Sequence, residues 1–196
     1  MSVSDIGALP NDINAPKISI AKQWWVLIAL GIMISAIISH VLWYINFVHV
    51  FSGILWTGTD LFMGFMIGPI MRKLDIKARR AFILRLMPKM LFFMPLLAFV
   101  TVTAGWYMAE WLGFFAMPYP YEWWLVAAIA IVVVLTVQGL GILLPTNLKV
   151  YFEMRKEKPD GEKIQRLMKR YVRVVAIQGL MQVAIIVIMS RFATGI

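Results

Sequence analysis

The stretch WWVLIALGIMISAIISHVLWYINFVHVFSGILWTGTDLFMGFMIGPIM, residues 24–71, decides the fold, because it is apolar throughout and carries a single charge, Asp60. As one helix it would be roughly 70 Å long at about 1.5 Å per residue, more than twice the ~30 Å of a hydrocarbon layer. It must turn once, and the polar interruption at Ser39, His40 and Asn46 is the natural place. Two spans follow, over 24–43 and 47–71, and later apolar runs give a third over 88–112, a fourth over 123–145 and a fifth over 171–189. The expected fold is an all-α polytopic membrane protein, with an N-terminal arm over 1–23 and one transmembrane domain over 24–193.

Composition agrees. Of the 196 residues 61% are hydrophobic and 15% charged, more apolar surface than a water-soluble core can absorb. The absence of Cys excludes disulfides, thiolate metal sites, iron–sulfur clusters and covalent c-type haem attachment. The arm from Met1 to Lys22 is polar, contains Pro10, Asn11 and Pro16, and lacks the basic start and small-residue cleavage site of a signal peptide. It reads as a mature cytoplasmic arm.

The formal charge of +9 is concentrated in two segments between apolar runs, 72–89 and 149–173, a pattern of membrane topology and not of nucleic-acid binding. Eighteen of the 19 Lys and Arg residues fall on one side of the proposed membrane, with Arg191 alone on the other. The positive-inside bias then puts the N-terminus and both basic segments in the cytoplasm of a plasma-membrane protein. Trp43, Trp106, Trp111, Trp123 and Trp124 fall at the opposite interface.

One internal echo sets the expected arrangement. Ile83-Leu84-Arg85-Leu86-Met87-Pro88-Lys89 follows the second span and Ile164-Gln165-Arg166-Leu167-Met168-Lys169-Arg170 follows the fourth. A proline, Pro69 or Pro145, closes the preceding span in each case. Two similar hairpins imply a four-helix bundle with pseudo-two-fold symmetry about the membrane normal, plus an extra N-terminal transmembrane helix.

The chain has two histidines, His40 and His49, at the same ends of adjacent antiparallel spans. Two imidazoles at one depth suit an axial pair for b-type haem or the start of a copper site, while a lone interfacial histidine is ordinarily solvated by headgroups. At about 100° per residue, Gly53, Trp56, Asp60, Met63 and Ile67 share one stripe with His49. Gly53 admits a flat macrocycle or, more simply, a neighbouring helix, as does the Gly64 and Gly68 pair. Met108 is the methionine at the histidines' depth and could supply a thioether, although most span methionine is filler. Asp60, the one acid well inside an apolar run, marks a proton relay, a cation site or a structural hydrogen bond to Thr57, Gln138, Gln178 or Gln182.

The run Phe47-Val48-His49-Val50, then Leu55-Trp56-Thr57-Gly58, Phe62, Phe65 and Pro69, resembles the opening helix of a superfamily of small membrane proteins. This superfamily includes the copper-resistance-D family and the HemJ-type protoporphyrinogen oxidases. The resemblance implies haem b or copper, with His49 as the position carried over. The chain departs from that pattern by an additional N-terminal span and by having no histidine in its later spans. No nucleotide loop, Ser/His/Asp arrangement or zinc-protease helix occurs.

The expected function is therefore a haem-b membrane redox protein exchanging electrons with a quinone, a porphyrin or a partner subunit. The alternatives are a copper or other cation transporter and a non-catalytic subunit of a larger membrane complex. Membrane lipid is an expected partner, partner membrane subunits or further copies of the chain are candidates, and nucleic acid is not.

Overall fold

The structure is a computed structural model that describes residues 18–19, 23–117, 122–156 and 158–194. Its elements are α1 (Trp25–Ser39), α2 (Leu42–Phe62), a π-helical turn (Met63–Ile67), α3 (Gly68–Lys73), α4 (Ile76–Trp111), a 3₁₀ turn (Phe114–Ala116), α5 (Trp123–Gln138), a second π-helical turn (Gly139–Leu143), α6 (Leu144–Met154) and α7 (Gly161–Thr194). Among the described residues there is no strand.

Four continuous helical stretches are long and apolar enough to cross a membrane: Leu42–Met71, Ala78–Trp111, Trp123–Met154 and Gly161–Thr194, of 30, 34, 32 and 34 residues. Their outward faces are large and apolar, with Trp43, Phe65 and Leu180 each more than 70% exposed. Such a surface suits hydrocarbon as its solvent. Of the arm over 1–23, only Ile18, Ser19 and Gln23 are described, and 118–121 between α4 and α5 also lies outside the described residues.

The first expected span is shorter than the apolar run suggests. Helix α1 has 15 residues, about 22 Å of helix, and stops at Ser39 because His40 takes a left-handed backbone conformation (φ 51°). The His40 N–H donates to the Ile37 carbonyl and Val41 is extended, so the chain reverses before α2 starts. Both the 43 end of the first span and the 47 start of the second are thus replaced by a turn at 40–41.

The basic segments are mostly helix and not loop. Asp75 accepts a hydrogen bond from the Ala78 N–H (2.9 Å) and starts α4 at Ile76, twelve residues before the expected start of the third span. Pro88 and Pro95 lie inside this helix. The second basic segment is divided between the end of α6 and the first turns of α7. Hydropathy marks the apolar part of a helix, while its backbone hydrogen bonds continue through the charged residues that flank it.

Each proline-terminated span contains the same device. Five-residue π turns, Met63–Ile67 and Gly139–Leu143, each end two residues before a proline, Pro69 and Pro145. Proline removes an N–H and its ring crowds the carbonyl four residues earlier. The wider turn moves that carbonyl away, and the π bonds Gly68 N–H to Met63 O and Leu144 N–H to Gly139 O carry the ladder across.

The two echoed segments meet in space. Leu84, Ile83 and Met87 from the first pack with Ile164, Leu167 and Met168 from the second around Val150, Tyr151 and Met154 of α6. Ile18 of the N-terminal arm joins the same cluster. Arg80 crosses from α4 to cap α6, donating to the carbonyls of Met154 (3.1 Å) and Lys156 (3.2 Å). At the other end, Met33 and Ala36 of α1 pack with Ile45, Val48, Leu96, Val100 and Ala104.

Candidate functional site

Helix α2 presents one inward stripe, and each member meets a different part of the protein. His49 and Gly53 face α4, Trp56 packs with Leu97 and Leu135, and Asp60 reaches α7. This is the face expected from helical periodicity, now with its partners assigned.

Asp60 is buried, and its Oδ2 accepts two hydrogen bonds, from Gln178 Nε2 and Gln182 Nε2, both at 2.8 Å. The two glutamines stand one helical turn apart on α7 and are 2% and 1% exposed. They are two of the four partners expected from sequence; Thr57 is buried nearby in the chain, and Gln138 is not bonded to Asp60. A carboxylate only accepts, so both amide NH₂ groups turn toward it and both amide oxygens turn away. Gln178 Oε1 and Gln182 Oε1 are buried without a hydrogen-bond partner among the described residues. Gln138 Oε1 and Asn147 Oδ1, which flank the second π turn, are in the same state. The Tyr171 hydroxyl meets the Asn147 side chain. Among the described residues no ion pair neutralises Asp60.

His49 makes a different site. Its Nδ1 is 2.8 Å from the Thr101 carbonyl oxygen, and its ring lies in the notch left by Gly105, where a Cβ would stand 2.7 Å from Cε1. The Ser52 and Thr101 hydroxyls meet at 2.9 Å beside it, and a Cβ on Gly53 would touch Thr101 Cγ2 at 3.4 Å. Small residues thus bring α2 and α4 close together here. Gly105 and Thr101 were not among the expected site residues. Their four-residue spacing is a small-xxx-small signal on the third span that matches Ser52 and Gly53 opposite.

The structure does not bring His40 to His49. His40 is exposed at the α1–α2 turn, with its ring 4.9 Å from that of Trp111, whereas His49 contacts α4 at Thr101 and Gly105. Trp111 and Gly105 are about 9 Å apart along the helix axis at ~1.5 Å per residue. The expected equality of depth fails because the left-handed turn ends α1 early and leaves His40 in the α1–α2 connection, while His49 lies two turns into α2. Met108 packs against the α1–α2–α4 apolar cluster, and Trp56 is buried in apolar packing as well. Among the described residues no three His, Cys, Asp or Glu side chains converge as a metal-binding group. No protein-family model, curated protein or solved structure matches the chain.

Proposed function

We propose that this chain is a multi-pass transporter or channel-like membrane protein in which Asp60 binds and releases a proton or a small monovalent cation. The observation that carries this reading is the Asp60 carboxylate, held inside an apolar span by the Gln178 and Gln182 amides with no cationic side chain paired to it among the described residues. A bare anion in hydrocarbon is costly, and two amide dipoles offset only part of that cost. A proton on the carboxyl group or a cation beside it supplies the rest. Its arrival and departure change the charge at the α2–α7 contact, one turn before a π-helical segment whose hydrogen-bond register is already irregular.

The test is infrared difference spectroscopy on the protein in lipid. A buried carboxyl C=O band should respond to bulk pH or to added sodium, and Asp60→Asn should remove it while keeping the yield of folded protein. Sodium sensitivity assigns the cation, and pH sensitivity alone assigns the proton. A band that ignores both wherever the fold stays intact would make Asp60 purely structural and end the proposal.

The framework for this reading has five membrane-associated helices in the plasma membrane. The N-terminus and basic segments are cytoplasmic, and the four long helices form a bundle of two similar hairpins beside α1. The paired π turns and the meeting of the echoed segments favour that symmetry.

A redox reading rests on His49 alone. An imidazole with Nδ1 bonded to a carbonyl keeps Nε2 as the ligating nitrogen, the usual setting of a metal-bound histidine. The residues present do not fit a bis-imidazole haem, since His40 lies elsewhere. They offer one axial ligand for haem b or one donor for copper, with a quinone or porphyrin as electron partner. A Soret band in the purified protein, lost in His49→Ala, would support haem, and its absence from protein made with ample haem would remove it.

A further inference from the structure

Helix α6 and the start of α7 border an open groove of about 410 Å³ lined by Pro145, Leu148, Lys149, Phe152, Glu153, Lys156 and Lys163. We infer that this groove binds an anionic phospholipid, its phosphate on the lysines and one acyl chain along Pro145, Leu148 and Phe152.

Position along the helix gives the argument its direction. Pro145, Leu148, Lys149 and Phe152 recur at the three- and four-residue spacing of one helix face. The face passes from apolar at Pro145, toward the membrane interior, to cationic at Lys156, where α6 has ended. A phospholipid has the same order, tail inward and phosphate at the rim.

Charge favours an anion. The groove gathers three ammonium groups and one carboxylate. Glu153, whose side chain is 4% exposed, holds Lys156 at 2.9 Å and Lys163 at 2.7 Å. It also accepts from the Asp160 N–H at 3.4 Å, so the turn that carries Lys156 is tied to the groove floor. The Lys156 and Lys163 side chains remain 56% and 45% exposed, and each ammonium has three N–H donors, more than its one ion pair with Glu153 uses. Glu153 therefore positions two flexible lysines in advance and lowers the ordering cost of binding. Basic pockets between membrane helices recognise anionic headgroups by this means.

The test uses the delipidated full-length protein in neutral detergent, with native mass spectrometry reading bound lipid. Phosphatidylglycerol should bind more tightly than phosphatidylcholine of the same chains. Lys149→Gln, which leaves both Glu153 ion pairs intact, should weaken phosphatidylglycerol binding about fivefold. Lys89→Gln, an exposed lysine of α4 outside the groove, should leave it unchanged. Equal retention of the two lipids, or equal loss in the Lys89 and Lys149 variants, would reduce the effect to diffuse surface charge and overturn the site. Competition by millimolar inorganic phosphate as effective as that by the lipid would assign the lysines to a free anion and overturn the lipid.

Discussion

Gly105→Ala tests whether His49 is locked between α2 and α4. The new Cβ would lie 2.7 Å from His49 Cε1 and 2.8 Å from Nδ1, whereas carbon pairs settle at about 3.5–4.0 Å. Backbone cannot yield easily inside α4, so the imidazole must swing out of the notch and lose its 2.8 Å contact with the Thr101 carbonyl. Overpacking of this kind costs about 1–3 kcal/mol and the hydrogen bond about 0.5–1.5 kcal/mol, which together predict a loss of about 1.5–4.5 kcal/mol. The assay is reversible unfolding in mixed detergent micelles, run as a double-mutant cycle with His49→Ala. Without the ring there is nothing to strike, and Gly105→Ala should become neutral or stabilising by up to about 1 kcal/mol through helix propensity. An equal cost in both backgrounds would refute the reasoning, since the alanine would then clash with something other than His49.

Gln178→Leu removes one of the two donors to Asp60 and should cost about 1–3 kcal/mol in the same unfolding assay, with much of that loss recovered when Asp60→Leu and Gln182→Leu are added together. Recovery would show that the polar contact is not needed for packing; no initial loss would mean that Gln182 alone satisfies the carboxylate. For topology, a single cysteine placed at Lys77 or Asp160 should resist an impermeant thiol reagent added outside intact cells and react once the membrane is opened. Labelling from outside would invert the orientation.

Much of the candidate site was legible because its chemistry is dictated by the solvent. In hydrocarbon a charge needs a partner, so Asp60 stands out in any reading of residues 24–71, and the possible partners in the other apolar runs are few. Gln178 and Gln182 could be named on that ground. The His49 notch was harder to see, because Gly105 and Thr101 look like ordinary small span residues until the facing helix is known. His40 was misplaced for a local reason: one residue in a left-handed conformation ends α1, and hydropathy does not encode a backbone dihedral.

The sequence by itself determined the helical membrane class, the apolar runs, the inward stripe of α2 and the clustering of positive charge, because each depends on composition or on the 3.6-residue period of a helix. Only the tertiary structure decided that α1 stops at 15 residues, that the basic segments are helical, that the echoed segments share one apolar cluster, and that Asp60 faces two glutamines while the histidines part company. These depend on which helix faces touch and where a turn falls. Side chains distant in sequence meet through packing between helices, and no single helix's own periodicity specifies its neighbour.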